Sequence, residues 1–184
     1  PGLVSNSRTN MVDINLAYVD FRYATDRIKI RLVPAFGSYM DQNYPGGYSI
    51  NNLMEASLGV KPWSEKDVWV EAGLIGSPFT NENPVSRDHI MYTRSLAAEY
   101  SPYYLAGVKI TAALSKRLKG SFYLLNGWET IRQEEEFPPA ITGQLEFTLN
   151  KNNLFNWNVY YQDRETHRRI FSDIYWIGTK DKWK

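Results

Sequence analysis

The chain has 184 residues, with 21 Lys and Arg against 20 Asp and Glu for a net charge of +1, and no Cys. That near-neutral balance, without any basic run, excludes a strongly basic nucleic-acid binder, and the missing thiols exclude disulfides and thiolate metal sites. Mean hydropathy is −0.46, and no apolar stretch approaches the roughly 18 residues that a transmembrane helix needs. A membrane β-barrel survives this filter, because only alternate residues of its strands need be apolar. Aromatic residues make up 15% of the chain, with 13 Tyr and 6 Trp, a richness that suits β proteins and the interfacial girdles of barrels. Pro1-Gly-Leu-Val has no charged region followed by an apolar core, so no signal peptide is read there. The chain is expected to be mature, intracellular or cut from something longer.

Nine strands are predicted, with connections alternating short and long. The first spans about 11–23 and meets the second, 28–36, through the tight Ala24-Thr-Asp-Arg27. Its apolar parity switches from Val12, Ile14, Leu16 and Tyr18 to Val19, Phe21 and Tyr23, which predicts an extra residue, a β-bulge, near Tyr18. Pro34 removes a ladder donor and predicts a second irregularity. A Gly/Pro/Asn-rich loop, 38–51, leads to strands 53–62 and 67–75, joined by Trp63-Ser-Glu-Lys66. The long connection 76–102 precedes a strand at 103–114, and Ser115-Lys-Arg117 turns into 118–126. After the loop 127–139 come 141–149 and 155–162, where Ile141, Gly143, Leu145, Phe147 and Leu149 alternate with Thr142, Gln144, Glu146 and Thr148. A polar connection, 163–168, leads to a last strand near 169–178, bulky on both parities, and then to another short turn at Thr179-Lys-Asp-Lys182.

A period of two puts the two parities on opposite faces. In a soluble sandwich or lipocalin-like barrel the apolar face points inward, and in a membrane barrel it points to lipid. The alternation of connection lengths, the mixture of small and large residues on the apolar faces (Met54, Ala56, Leu58, Val60; Val68, Val70, Ala72, Leu74; Tyr104, Ala106, Val108, Ile110), and aromatics near strand ends (Tyr18, Tyr23, Trp63, Trp69, Tyr103, Tyr104, Trp157, Trp176) all favour lipid. The predicted fold is therefore an all-β, antiparallel up-and-down transmembrane β-barrel. One barrel domain is expected over 1–184, a piece of a larger barrel, because nine is odd and bacterial single-chain barrels have even strand counts.

The segments Met54-Glu-Ala-Ser-Leu-Gly-Val-Lys61, Asp67-Val-Trp-Val-Glu-Ala-Gly73, Tyr92-Thr-Arg-Ser-Leu-Ala-Ala-Glu-Tyr-Ser-Pro-Tyr-Tyr-Leu-Ala-Gly-Val-Lys109 and Leu125-Asn-Gly-Trp128 carry a resemblance. They are similar to the putative β-barrel porin-2 (OmpL-like) family of the Bacteroidota outer membrane. The run Leu74-Ile-Gly-Ser-Pro-Phe79 departs from a Gly-Ile/Leu-Phe-Pro-Ser-like pattern more usual there. The resemblance implies a porin-like protein of the bacterial outer membrane and supplies no ligand.

With the apolar parity toward lipid, Glu55, Glu71, Lys109, Thr111, Gln144, Glu146, Asn156, Asn158 and Gln162 share the lumen wall. Their three carboxylates against one lysine predict that this half of the wall mildly favours cations, a preference the other half could reverse. Arg87, Asp88, Arg94 and Glu99 lie in the 76–102 connection. They are either ion-paired on a surface loop or carried into the lumen, where Arg87, Arg94 and Glu99 would form a constriction with a transverse field. Glu134-Glu-Glu136 is read as a solvated loop, with divalent cations near lipid head groups as the alternative, and Gly46-Gly47 as a turn. His89 and His167, the only histidines, lack metal-ligand spacing and are read as solvated loop residues; no hydrolase signature occurs.

These features point to a non-enzymatic outer-membrane channel for passive passage of small hydrophilic solutes or ions. No cofactor or metal is implied. Membrane lipid, permeants and a second copy in a homo-oligomer are the expected partners. The alternatives are a soluble or surface-associated β-barrel module enclosing a small apolar ligand, and a structural or adhesion barrel with a plugged lumen.

Overall fold

A computed structural model describes residues 12–44, 50–89, 91, 93–132, 138–164 and 167–179. One antiparallel sheet holds every strand: β1 (Ala17–Tyr18), β2 (Phe21–Ala24), β3 (Ile28–Phe36), β4 (Leu53–Val60), β5 (Val68–Gly76), β6 (Tyr104–Ala113), β7 (Leu118–Leu125), β8 (Ala140–Asn150), β9 (Asn153–Arg164) and β10 (His167–Gly178). From β3 onward each strand pairs with its sequence neighbour, an up-and-down order, and β1 and β2 both pair with β3. The sheet is open, with β1/β2 at one edge and β10 at the other. The nine predicted strands are all present, the first divided in two.

Side-chain chemistry closes the short turns. Thr25 Oγ1 accepts from the Ile28 N–H at 2.9 Å. Ser115 Oγ accepts from the N–H groups of Arg117 at 3.2 Å and Leu118 at 3.1 Å, and Asn150 Oδ1 accepts from the Asn152 N–H at 2.9 Å. Short polar side chains that bond the backbone two or three residues on are what such turns require.

The parity switch in the first strand has a different cause from the predicted bulge. Tyr18 pairs with Ala35 and Phe21 with Leu32, so two residues stand between on each strand and no residue is extra. The backbone direction is kept and the chemistry changes sides. Leu16 packs on a buried cluster, while Phe21 and Tyr23 share a face with the exposed Leu32 and Ile30. The irregularity predicted at Pro34 is real: Val33 pairs with Glu55 and Pro34 with Leu53, which leaves Met54 as the extra residue.

The connection predicted at 163–168 is shorter, because β9 runs through Arg164 and β10 starts at His167. Asp163, Arg164, His167 and Arg168 thus belong to strands, and the short–long alternation ends there. Two short α-helices are not among the predicted elements: α1 (Ser38–Asn43), which interrupts the Gly/Pro/Asn-rich loop, and α2 (Leu96–Glu99), within the long 76–102 connection. The Ser95 hydroxyl caps α2 by accepting from the Ala98 N–H at 3.3 Å. Gly46-Gly47 and Glu134-Glu-Glu136 lie outside the described residues.

Across β7 to β10 the two faces separate cleanly. Phe122, Leu124, Ile141, Leu145, Phe147, Phe155, Trp157, Ile170, Ile174 and Trp176 are exposed, whereas Tyr123, Thr142, Asn156, Asn158, Tyr160 and Gln162 are buried. On β10, Arg169, Phe171, Asp173 and Tyr175 pair with Gln162, Tyr160, Asn158 and Asn156, which settles the face assignment the sequence left open. The apolar parity is outward and the polar parity inward, the reverse of a soluble core.

Separation fails near the long connections. Beyond the paired glycines Gly73 and Gly107 (φ +131° and +155°), Leu74, Ile75, Tyr104, Leu105 and Ala106 are all buried. Met54, Leu74, Tyr104 and Ala106, predicted to face lipid, instead pack with Val33, Ala35, Tyr39, Met40 and Tyr44. A Cβ on Gly73 would collide with the Ala56 carbonyl oxygen, and one on Gly107 with that of Leu124, so only glycine permits this bend. A second cluster joins Phe79, Leu105, Tyr123, Leu125, Ala140 and Tyr160. Burying each of these large side chains contributes about 1.5–3 kcal/mol.

Candidate functional site

The candidate site is the inward, polar face of the sheet. Strand register brings all nine predicted wall residues onto it: Glu71 lies opposite Lys109, Gln144 opposite Asn158 and Glu146 opposite Asn156. Thr111 meets Ser121 at 3.0 Å, and Glu55, opposite Val33, shares its face with Arg31. Glu55, Glu71, Lys109, Thr111, Gln144 and Glu146 are half-buried. Asn156, Asn158 and Gln162 are buried.

Every predicted carboxylate is paired. Glu55 holds Arg31 at 2.6 Å, Glu71 holds Lys109 at 3.4 Å, and Glu146 holds Lys119 at 3.3 Å. Lys29 stands 3.6 Å above the Trp69 ring. The excess of carboxylates that implied a cation preference is therefore absent: Lys29, Arg31 and Lys119 restore the balance, and they were missed. Their signal was present in Ile28-Lys-Ile-Arg-Leu32 and in Lys119-Gly-Ser-Phe-Tyr123, where the polar parity alternates as plainly as in 141–149. Tyr123 was missed because an aromatic residue reads as apolar; its hydroxyl donates to Gln144 Oε1 at 2.9 Å, and Gln144 Nε2 donates to Asn156 Oδ1 at 3.4 Å.

Asp173 anchors a connection to this face. Its Oδ2 accepts from the Thr80 N–H at 2.6 Å and its Oδ1 from Asn158 Nδ2 at 2.8 Å. Asn158 Nδ2 also donates to the Pro78 carbonyl at 3.0 Å, and the Tyr175 hydroxyl donates to the same oxygen at 3.3 Å. Phe79 then packs edge-on against Phe171, centroids 5.2 Å apart. The start of the 77–103 connection thus lies across the polar face. Gln162 Nε2 binds the Pro138 carbonyl at 3.2 Å, so the β7–β8 connection also reaches it.

The three predicted constriction residues part company. Arg87 is exposed and pairs with Asp88 at 3.5 Å. Arg94 is buried, its guanidinium 5.4 Å from the Tyr39 ring centroid and 5.0 Å from that of Tyr103. Glu99 Oε2 accepts from the Tyr103 hydroxyl at 3.3 Å, so Arg94 and Glu99 meet at one tyrosine. Burial pushes the Tyr39 phenol up, against the opposing pull of Arg94. Of the histidines, His89 meets the Asn83 carbonyl at 2.6 Å within the loop, and His167 opens β10 rather than lying in a loop. Among the described residues no group of three or more His, Asp or Glu could hold a metal.

The eight aromatics predicted as a belt divide. Tyr18, Tyr23, Trp63, Trp157 and Trp176 are exposed. Trp69 lies under Lys29, Tyr103 beside Arg94, and Tyr104 is buried, stacked on Tyr44 with centroids 4.6 Å apart. Those three serve the interior instead.

A sheet with apolar residues outside and polar residues inside fits a lipid-embedded barrel, and comparison with known families gives the same answer. The model of the family described as putative beta-barrel porin-2, OmpL-like, matches residues 1–183. The chain belongs to that family. No curated protein and no solved structure matches it. Membership of a β-barrel porin family supports a porin-type role in the outer membrane, with the open sheet as barrel wall.

Proposed function

We propose that the protein is an outer-membrane channel through which small hydrophilic solutes or ions pass passively, without chemistry or cofactor. The observation that carries this reading is the division of faces from β7 to β10: an exposed apolar wall backs a face of amides, hydroxyls and the paired Lys119 and Glu146. Hydrocarbon accepts the first, and a hydrated permeant exchanges hydrogen bonds with the second. The paired charges leave no large field of one sign, which suits passage of polar solutes more than strong ion selection. The soluble-module reading requires the opposite parity in its core.

The 77–80 segment on the polar face favours one further reading, a barrel narrowed or plugged by its own connection. Reconstitution separates the two. Vesicles containing the protein should swell in small sugars and amino acids, and planar bilayers should show discrete conductance steps. A protein that extracts only with detergent yet gives neither signal is a plugged barrel; one that stays in the supernatant without detergent is not a membrane barrel at all.

A further inference from the structure

Arg94 is 7% exposed, and its Nε and Nη1 have no hydrogen-bond partner. The rings of Tyr39 and Tyr103 flank the guanidinium, but a ring face offers no lone pair to N–H donors. A buried cation with unmet donors is costly and needs a reason. Arg94 lines a cavity of about 120 Å³ between the 77–103 connection and the ends of β4 and β5. Glu55, Glu82, Met54, Phe79 and Ala98 line the same cavity. Both acids have a donor already: Glu55 takes Arg31 at 2.6 Å, and Glu82 takes the Ser95 N–H at 2.9 Å.

We propose that this cavity binds a small zwitterion of the α-amino acid class. The ligand carboxylate meets Arg94 Nε and Nη1, in the charge-assisted contact that guanidinium makes best. Its ammonium lies toward the carboxylates of Glu82 and Glu55. A bare anion satisfies the arginine but faces two acids, and a bare cation faces the arginine. A ligand with both charges close together meets the unpartnered arginine donors without setting a net negative charge against the two acids. Size narrows it further: a cavity of about 150 Å³ binds benzene, so about 120 Å³ favours glycine or alanine over leucine. The site needs the connection docked on the sheet, not a conducting pore, so it stands apart from the channel reading.

Calorimetric titration of the detergent-refolded protein with glycine, L-alanine, L-leucine, acetate and methylammonium tests this. Glycine and alanine should give saturable heats, and the other three should not. In Arg94→Gln and Glu82→Gln, with near-UV circular dichroism confirming the fold, binding should weaken at least about tenfold, as expected when a charge-assisted contact is lost. Absence of binding by both glycine and alanine overturns the proposal. So does acetate or leucine binding as tightly as glycine, or unchanged binding in Arg94→Gln. If Arg94→Gln does not fold, the wild-type ligand series and Glu82→Gln still decide.

Discussion

An arginine placed at either of two adjacent positions of β8 should have opposite consequences. Leu145 lies five residues from each end of Ala140–Asn150 and is 38% exposed on the outward face. A tilted strand of this length crosses the hydrocarbon, so position 145 sits near its middle, where an arginine costs about 2–4 kcal/mol. Gln144 is on the other parity, bonded to Tyr123 at 2.9 Å and weakly to Asn156 at 3.4 Å. Replacing it by arginine loses about 0.5–1.5 kcal/mol for the good hydrogen bond, and the long side chain reaches the polar interior. Leu145→Arg should therefore destabilise more than Gln144→Arg, and only Gln144→Arg should alter ion selectivity. Equilibrium denaturant titration of each variant in lipid vesicles, followed by tryptophan fluorescence, measures the difference. If Leu145→Arg lies within about 0.5 kcal/mol of wild type, the range of an ordinary surface change, and Gln144→Arg prevents folding, the faces are reversed and the membrane reading fails.

The same titration checks the bend in the sheet. Gly73→Ala and Gly107→Ala, each forced to a positive φ against a carbonyl, should cost at least about 1–3 kcal/mol, whereas Gly143→Ala, whose Cβ meets nothing within 4 Å, should be near neutral. Asp173→Ala removes the acceptor for Thr80 and Asn158; the 77–80 segment should loosen, and single-channel conductance should rise while stability falls by about 1–3 kcal/mol. Burial pushes the Glu129 carboxyl up, against the opposing Tyr103 N–H at 2.9 Å and the Arg169 charge. Its folded form therefore holds the proton longer than the unfolded chain does. The contribution is full below the ordinary carboxyl value and is lost as pH rises through the raised folded value. The unfolding free energy from denaturant titration should fall as pH rises across that window in the wild type and fall less in Glu129→Gln.

Where one face meets lipid, a strand announces itself. In Ile141–Leu149 every second residue must suit hydrocarbon and the rest must not, so period, register and face could all be read from the letters. The residues that share the inward face on β5 to β9 were legible for that reason. Alternation is silent where a residue answers to a third environment. Tyr123 and Tyr160 are aromatic yet inward, because a phenol can pack as apolar while its hydroxyl bonds Gln144 or Gln162. Leu16 and Phe21 belong to one continuous backbone whose apolar side changes at the point where packing against protein replaces contact with lipid.

The 77–103 connection is the extreme case. Its docking rests on carbonyl and amide groups of Pro78 and Thr80 meeting Asn158, Asp173 and Tyr175, from 80 to 97 residues away in the chain. Backbone groups carry no sequence signature, and Asp173 lies in a strand whose parities both look apolar. What could be read was charge without place: Arg94 and Glu99 were visible as candidates, but their burial depends on Tyr39 and Tyr103 arriving from two other segments. Alternation therefore specifies the wall of such a barrel locally, strand by strand. What occupies its interior is set by long-range meetings of single residues, which no local period announces.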